Sequence, residues 1–380
     1  MPDHGANLAR AREILRAHPL IDGHNDLPWA IRTNPDAPGD LDAYDLSRTT
    51  RGETDLPRLR AGAVGAQFWS VFVPPELGGS FARAQLEQID LALRMIARHP
   101  DDLVLCRTAD EVEAAFESGR IGSLLGLEGG HVLEGSLGAL RAYRVLGGAY
   151  LTLTHNANTE LGDSATDAPL HGGLSAFGRE VVREMNRLGM LVDLSHVAPS
   201  TMADALDTSA APVIFSHSSA RALCDVARNV PDEILARLPD NGGVCMVTFV
   251  AGFVSQATAD VVGPAQEELR QRSVGILDPD ALVALRDEIV GPLEVPLPSV
   301  SGVADHVDHV ARVAGVAHVG IGGDFDGSTF WPIGLEDVSC YPNLFAELIG
   351  RGWTDDDLAA LAGGNLLRVM RDAERVAAAA

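Results

Sequence analysis

The chain has 380 residues, 46% of them apolar and 22% charged, a balance that excludes a disordered or collagen-like polymer. Its formal charge of −24 excludes a basic nucleic-acid-binding face and opposes docking on an anionic membrane. No lysine occurs, so all 29 cationic side chains are arginines; a Schiff-base lysine, a P-loop lysine and a carbamylated lysine bridging two metals are all excluded.

Residues 8–16 carry an arginine every few positions and no apolar centre, unlike a secretory leader. Short apolar runs then recur, each closed by a polar cluster. Residues 19–22 lead to His24. Residues 63–73 form the second run, and 82–97 read as an amphipathic helix with Leu86, Ile89, Leu93 and Ile96 on one face. Residues 121–127 end at Glu128 and 149–154 at His155. After a helical pattern over 174–188, residues 190–195 end at His196, 212–216 at His217, and 243–249 form the seventh run. Residues 254–301 are too long for a simple connection. They hold helical patterns at 265–275 and 278–290 and then a proline-rich stretch, and are predicted to lie over the mouth of the fold as an excursion between strands seven and eight. A helical pattern over 303–313 precedes the eighth run, 317–323, which ends at Asp324. Residues 354–376 read as a closing helix with Thr354 as N-cap and acidic residues in its first turn.

Eight buried strands alternating with helices predict an α/β fold, a closed (β/α)8 TIM-like barrel, as a single domain over residues 1–380. No run of 18 apolar residues occurs, so no membrane partner is expected. Cys106, Cys224, Cys245 and Cys340 form no CxxC pair and no disulfide framework, which with the missing leader predicts a cytoplasmic protein.

In such barrels the active site lies at the C-terminal ends of the strands. Six of the eight predicted strands end there in His, Asp or Glu, too many for chance placement of 12 histidines. His24 and Asp26, at i and i+2 of an extended segment, point the same way and can share one ion. His196 and His217 follow adjacent strands, and Glu128 has two oxygens with which to bridge two ions. A site of imidazoles and carboxylates suits zinc or a similar divalent ion. Asp324, in Gly-Gly-Asp-Phe-Asp-Gly, is placed to orient and deprotonate a water, whereas Asp326 reads as a turn residue. His155 is left as a donor to a developing oxyanion. Arg228 and Arg221 both remain candidates for a substrate carboxylate. His131, His171, His306, His309 and His318 lie off the strand ends and read as surface or core residues, the pair at 306 and 309 on a solvated face.

The segments IDGHNDLPW, GAQFWSV, LEGGH, YLTLTHNAN, VIFSHSSA, RNVPD, GGDFDG and GLEDVSCYP resemble the membrane (renal) dipeptidase family of zinc metallopeptidases, within the amidohydrolase superfamily. The resemblance runs from about residue 20 to residue 370. It implies two Zn2+ per chain, with His24 and Asp26 on one, His196 and His217 on the other, and Glu128 bridging. It implies that His155 contacts substrate, that Arg228 rather than Arg221 holds the peptide's terminal carboxylate, and that Asp324 is the catalytic acid–base. The substrate class it implies is a small dipeptide, including dipeptides with a D-residue at the C-terminal position, and the assembly a homodimer. The sequence departs from the mammalian pattern in lacking a leader and an anchor signal. It also carries Gln256 where the partner of the cysteine matched by Cys224 would stand, and its 254–301 segment is longer. The expected reaction is metal-assisted dipeptide hydrolysis. The alternatives are hydrolysis of a lactone, cyclic amide or N-acyl amino acid on the same site, or a binding protein that keeps the metals for stability.

Overall fold

The computed structural model describes residues 4–77, 79–273 and 279–380. Nine parallel strands are present: β1 (Leu20–Asn25), β2 (Val64–Ser70), β3 (Leu103–Leu105), β4 (Ile121–Glu128), β5 (Gly148–Thr152), β6 (Leu191–Asp193), β7 (Ile214–Phe215), β8 (Val244–Val247) and β9 (Val319–Ile321). Their order is β2-β1-β9-β8-β7-β6-β5-β4, and β2 pairs with β4 to close an eight-stranded barrel. All eight predicted strands are in that barrel. The ninth, β3, pairs with the N-terminal half of β4 along the side that β5 takes further up. Three residues are too short for a periodicity to register.

Residues two apart on a strand share a face. Phe68, Leu124, Tyr150, Leu191, Ile214 and Met246 accordingly meet in one buried cluster, joined by Leu366, Val369 and Met370 of the helix Asn365–Ala378. Continuing up the same faces, Leu124 gives way to Glu128, Tyr150 to Thr152, Leu191 to Asp193 and Ile214 to Ser216. Apolar packing thus fills the barrel's lower part and polar groups its upper end. A larger apolar cluster lies between the strands' outer faces and the helices, with Trp69, Leu127, Val192 and Phe215 fully buried in it.

The amphipathic stretches form helices at Phe81–Arg98, Ala176–Leu188 and Val300–Ala314, and a helix at His4–Ala17 precedes β1. The excursion holds helices Gln256–Ser273 and Pro279–Ile289, and a short helix, Ala251–Val254, leads into it; the end of the first predicted helical pattern, 274–275, and the start of the second, 278, lie outside the described residues. Thr354 caps its helix, with Asp357 reaching back to complete the box. The predicted single closing helix is instead broken by a π-turn at Ala360–Gly364. Gly363 there presses on β1, where a Cβ would stand 2.4 Å from the Pro19 carbonyl oxygen. Among the described residues no helix is long and apolar enough to cross a membrane.

Gly322, just after β9, packs so tightly that a Cβ would fall 1.9 Å from the Ser216 carbonyl oxygen. That neighbour is backbone within the barrel wall and cannot swing away. Gly322→Ala is expected to lower the unfolding free energy by about 3 kcal/mol, the upper end of overpacking costs. A urea titration showing a lower midpoint at unchanged slope would verify it.

Candidate active site

The strand ends bring His24, Asp26, Glu128, His196 and His217 into one buried cluster. Glu128 is 4% exposed and lies at its centre. Its Oε1 is 2.9 Å from His196 Nε2 and 3.5 Å from His217 Nε2, while its Oε2 is 3.4 Å from His24 Nε2. Asp26 Oδ2 lies 3.4 Å from the same His24 nitrogen. Among the described residues three ligand triads emerge: His24–Asp26–Glu128 and Glu128–His196–His217, which share the carboxylate, and His24–His217–Asp324. Burial alone would raise the Glu128 carboxyl, but His24, His196 and His155 hold it well below the usual carboxylate range.

The imidazoles are aimed by residues beneath them. His217 Nδ1 meets Ser216 Oγ at 2.8 Å, and Ser216 donates its own proton to Asp193 at 2.7 Å. Nδ1 must therefore donate, leaving the Nε2 lone pair facing Glu128 and His196. Asp193 also accepts from the Ser195 and Ser216 backbone N–H groups and from Thr152. Asp22 plays the same part beside His24, accepting from the His24 and Gly323 backbone, from Gln67 and from Tyr341. His24 Nδ1 pairs with the Tyr150 hydroxyl at 2.7 Å, and its buried Nε2 has no hydrogen-bond partner. His196 Nε2 and His217 Nε2 face one another at 3.0 Å. The partnerless His24 Nε2 and the facing Nε2 atoms of His196 and His217, gathered around a buried carboxylate, fit divalent-cation binding. His196 and Asp324 both have φ +68°, a left-handed conformation uncommon for such residues, held here by the surrounding barrel.

Above the cluster is a cavity of about 550 Å³. Asp324, His155 and Arg228 all open onto it; Arg221 does not line it and instead donates to the Ala227 carbonyl. Asp324 Oδ1 is 3.9 Å from His24 Nε2. Burial, reinforced by Asp26 and Glu128, pushes its carboxyl well above the ordinary range. Burial brings His155 down to about 4, keeping its imidazole neutral. Arg228 is 6% exposed; burial lowers its guanidinium to about 10, and its polar contacts are long, 3.3 Å to the His217 carbonyl and 3.5 Å to Ser218 Oγ.

A family model described as membrane dipeptidase (peptidase family M19) matches residues 8–380. The chain belongs to that family, and is accordingly a peptide-bond hydrolase. It is 43% identical to dipeptidase 3 of Rattus norvegicus over 373 residues, 97% of this chain and 67% of the relative. Its fold is similar to that of the probable dipeptidase PvdM from Pseudomonas aeruginosa, at TM-score 0.84 and 23% identity over 99% and 100% of the two chains. A metallopeptidase from Rhodobacter sphaeroides, liganded with a phosphinate mimic of the dipeptide L-Ala-D-Ala, shares the fold at TM-score 0.74, with 24% identity over 93% and 99%.

Five further histidines of this M19 peptidase hold backbone or side-chain groups away from the ligand cluster. His131 pairs with the Val73 carbonyl, His171 with that of Thr159 and His318 with that of Gly243. The helix carrying His306 and His309 does not present them to solvent. His306 is buried between the Ala220 N–H and the Val254 carbonyl, and His309 between Asp232 and Arg312. Asp326 does more than turn the chain. It lines the cavity and exchanges backbone hydrogen bonds with Glu53, and burial beside that carboxylate pushes it to about 8. Cys224 donates to the Gly252 carbonyl, and Gln256 accepts from the Asp225 N–H. The supporting residues Asp22, Asp193, Ser216 and Tyr150 were missed from the sequence. Their one signal was an aspartate shortly before a strand-end histidine, in Asp22-Gly-His24 and Asp193-Leu-Ser-His196.

Asp193→Asn keeps the shape but weakens the acceptor that fixes Ser216 and thereby His217. It is expected to lower metal affinity about 10–100-fold, the usual effect of losing such a partner. Competition with a chromogenic chelator measures this directly.

Proposed function

We propose that the chain is a zinc dipeptidase with two Zn2+ per chain, His24 and Asp26 on one, His196 and His217 on the other and Glu128 between them. It hydrolyses dipeptides that carry a free C-terminal carboxylate and tolerates a D-residue at that position. The observation that carries this reading is Arg228. Among the described residues it has no ion pair, yet it is buried and opens onto the same cavity as the ligand cluster. A buried guanidinium with no carboxylate in contact is costly, and the nearby charges of Asp324, Glu128 and Asp193 offset only part of its burial. A substrate carboxylate would provide two charge-assisted hydrogen bonds in the matching fork geometry. The L-Ala-D-Ala mimic held by the like-folded Rhodobacter enzyme makes that dipeptide the first substrate to try.

Bound at the cluster, the metal pair supplies a water of lowered pKa and a Lewis acid for the scissile carbonyl. Asp324 takes a proton from the attacking water and passes it to the leaving amine. The burial that raises its carboxyl lets it hold that proton between the two transfers. His155, kept neutral, donates its N–H to the oxygen on which charge develops. Arg228 fixes the carboxylate end, so the bond cleaved lies one residue from it. A cavity of this size holds a small ligand, not a folded protein chain. Four free thiols, three of them buried, support a reducing, cytoplasmic setting.

Asp324→Asn keeps the size and removes the base. The expectation is a kcat about 10²–10⁴-fold lower with two zinc ions per chain retained. Near-normal turnover, or metal lost in parallel, would refute the proton-shuttle role. Arg228→Met keeps the stem and removes the charge. It should lower kcat/KM about 10²–10³-fold for free dipeptides, as expected when a buried carboxylate loses its partner. On dipeptide amides, already poor substrates, the effect should be much smaller. Equal losses on acid and amide would make Arg228 structural, and wild-type activity as good on amides would point to a broader amidase.

A further inference from the structure

The cavity has a polar floor and a roof that is apolar at Phe253, Ala259 and Val262 and polar at Gln266, Glu267 and Arg270. The floor is the ligand cluster with Asp324 and His155. The roof comes from the excursion: Ala259, Val262, Gly263 and Gln266 are spaced along one face of the helix Gln256–Ser273 and all line the cavity. Gly252 and Phe253, from the short helix before it, line it too.

This roof is fastened to the arginine. The guanidinium carbon of Arg228 lies 5.3 Å from the centre of the Phe253 ring. The neighbouring Asn229 donates to the Phe253 carbonyl at 2.8 Å and to the Cys224 carbonyl at 2.9 Å. Two of the roof residues contribute space instead of a side chain. A Cβ placed on Gly252 or on Gly263 would meet nothing within 4 Å. For Gly263, in the middle of a helix, that is a position where alanine would ordinarily be preferred.

We propose that this roof is the side-chain subsite for the C-terminal residue of the substrate, and that Gly263 sets its size, admitting a bulky apolar side chain. The inference rests on the reading that Arg228 holds the terminal carboxylate. The Cα of that residue is one bond from the carboxylate carbon, so its side chain must emerge beside the guanidinium, where Phe253 and the helix face stand. Phe253, Ala259 and Val262 supply apolar contact, and the gap over Gly263 supplies room.

The test compares Gly263→Ala and Gly263→Leu with the wild type on two dipeptide series, each with both enantiomers at the C-terminal position. The first varies the C-terminal residue: Ala-Gly, Ala-Ala, Ala-Leu and Ala-Phe. The second varies the N-terminal residue: Gly-Ala, Leu-Ala and Phe-Ala. In Gly263→Leu the ratio of kcat/KM for Ala-Phe to that for Ala-Gly is expected to fall about 10–100-fold, the worth of burying one large apolar side chain. In Gly263→Ala it should fall by less. The Phe-Ala to Gly-Ala ratio should move less than about threefold. A fall confined to the second series would assign the roof to the N-terminal residue and overturn the proposal. Unchanged ratios in both series on active enzyme would overturn it alone. A wild type inert on every dipeptide in the set would overturn the dipeptidase reading and this inference with it.

Discussion

The buried carboxylate of Glu128 is the constraint around which the upper end of the barrel is arranged. A negative charge 4% exposed, at the end of a strand whose lower half is packed in hydrocarbon, is expensive unless cationic partners meet it. The fold supplies three imidazoles whose Nε2 atoms lie within 3.5 Å of it, and a neutral imidazole with its proton on Nδ1, as at His217, offers a cation its Nε2 lone pair. The protein alone cannot satisfy every one of these nitrogens, as the partnerless His24 Nε2 records. A divalent cation held here would finish the electrostatics of the core as well as supply chemistry, since a metal bound only by the folded ligand set also stabilises the fold.

Two further buried carboxylates make the arrangement hold. Asp22 and Asp193 each collect four hydrogen bonds, two from backbone N–H groups at the strand ends and two from side chains. Burial raises both of them, and those hydrogen bonds work against the rise. Each fixes a turn; Asp193 also orients the His217 imidazole through Ser216, whereas the His24 imidazole is held by the Tyr150 hydroxyl. The left-handed backbone at His196 and Asp324 is tolerated within this scaffold. The turn after β9 is further confined by Gly322, which has no room for a Cβ, so the position of Asp324 is set by packing on both sides of its own backbone.

The strand-end residues were legible because a parallel strand in a barrel is buried on both faces and reads as an apolar run, so a histidine or carboxylate at its end stands out. The supporting residues were not, because Asp22, Thr152, Asp193 and Ser216 lie inside or against those runs and look like ordinary strand polar positions. Their role is visible only when strands far apart in sequence are brought side by side. The excursion was legible as an excursion, but its first helix was expected from residue 265 and begins at Gln256. Gly263 and Pro264 lie within that helix, although proline has no N–H for the carbonyl four residues back. The glycine opens onto the cavity. The π-turn at 360–364 was likewise invisible, because what requires it is the approach of Gly363 to the Pro19 carbonyl, a contact between chain ends.

A chain without lysine also constrains which cation can stand in the cavity wall. Burial lowers the Arg228 guanidinium to about 10, so it remains charged throughout the neutral range. A lysine ammonium in the same place would start about two units lower and shift more readily on burial, so the same surroundings would bring it close to neutrality before any carboxylate arrived. The planar fork also presents two N–H groups in fixed relation, which a single ammonium cannot do. With Phe253 packed against one face of the guanidinium and Ser218 and the His217 carbonyl along its edge, the remaining donors have the cavity as their outlet. The residue proposed to hold a free carboxylate is thus anchored through the backbone of a proposed metal ligand, His217, which would tie the position of the substrate to that of the ligand cluster.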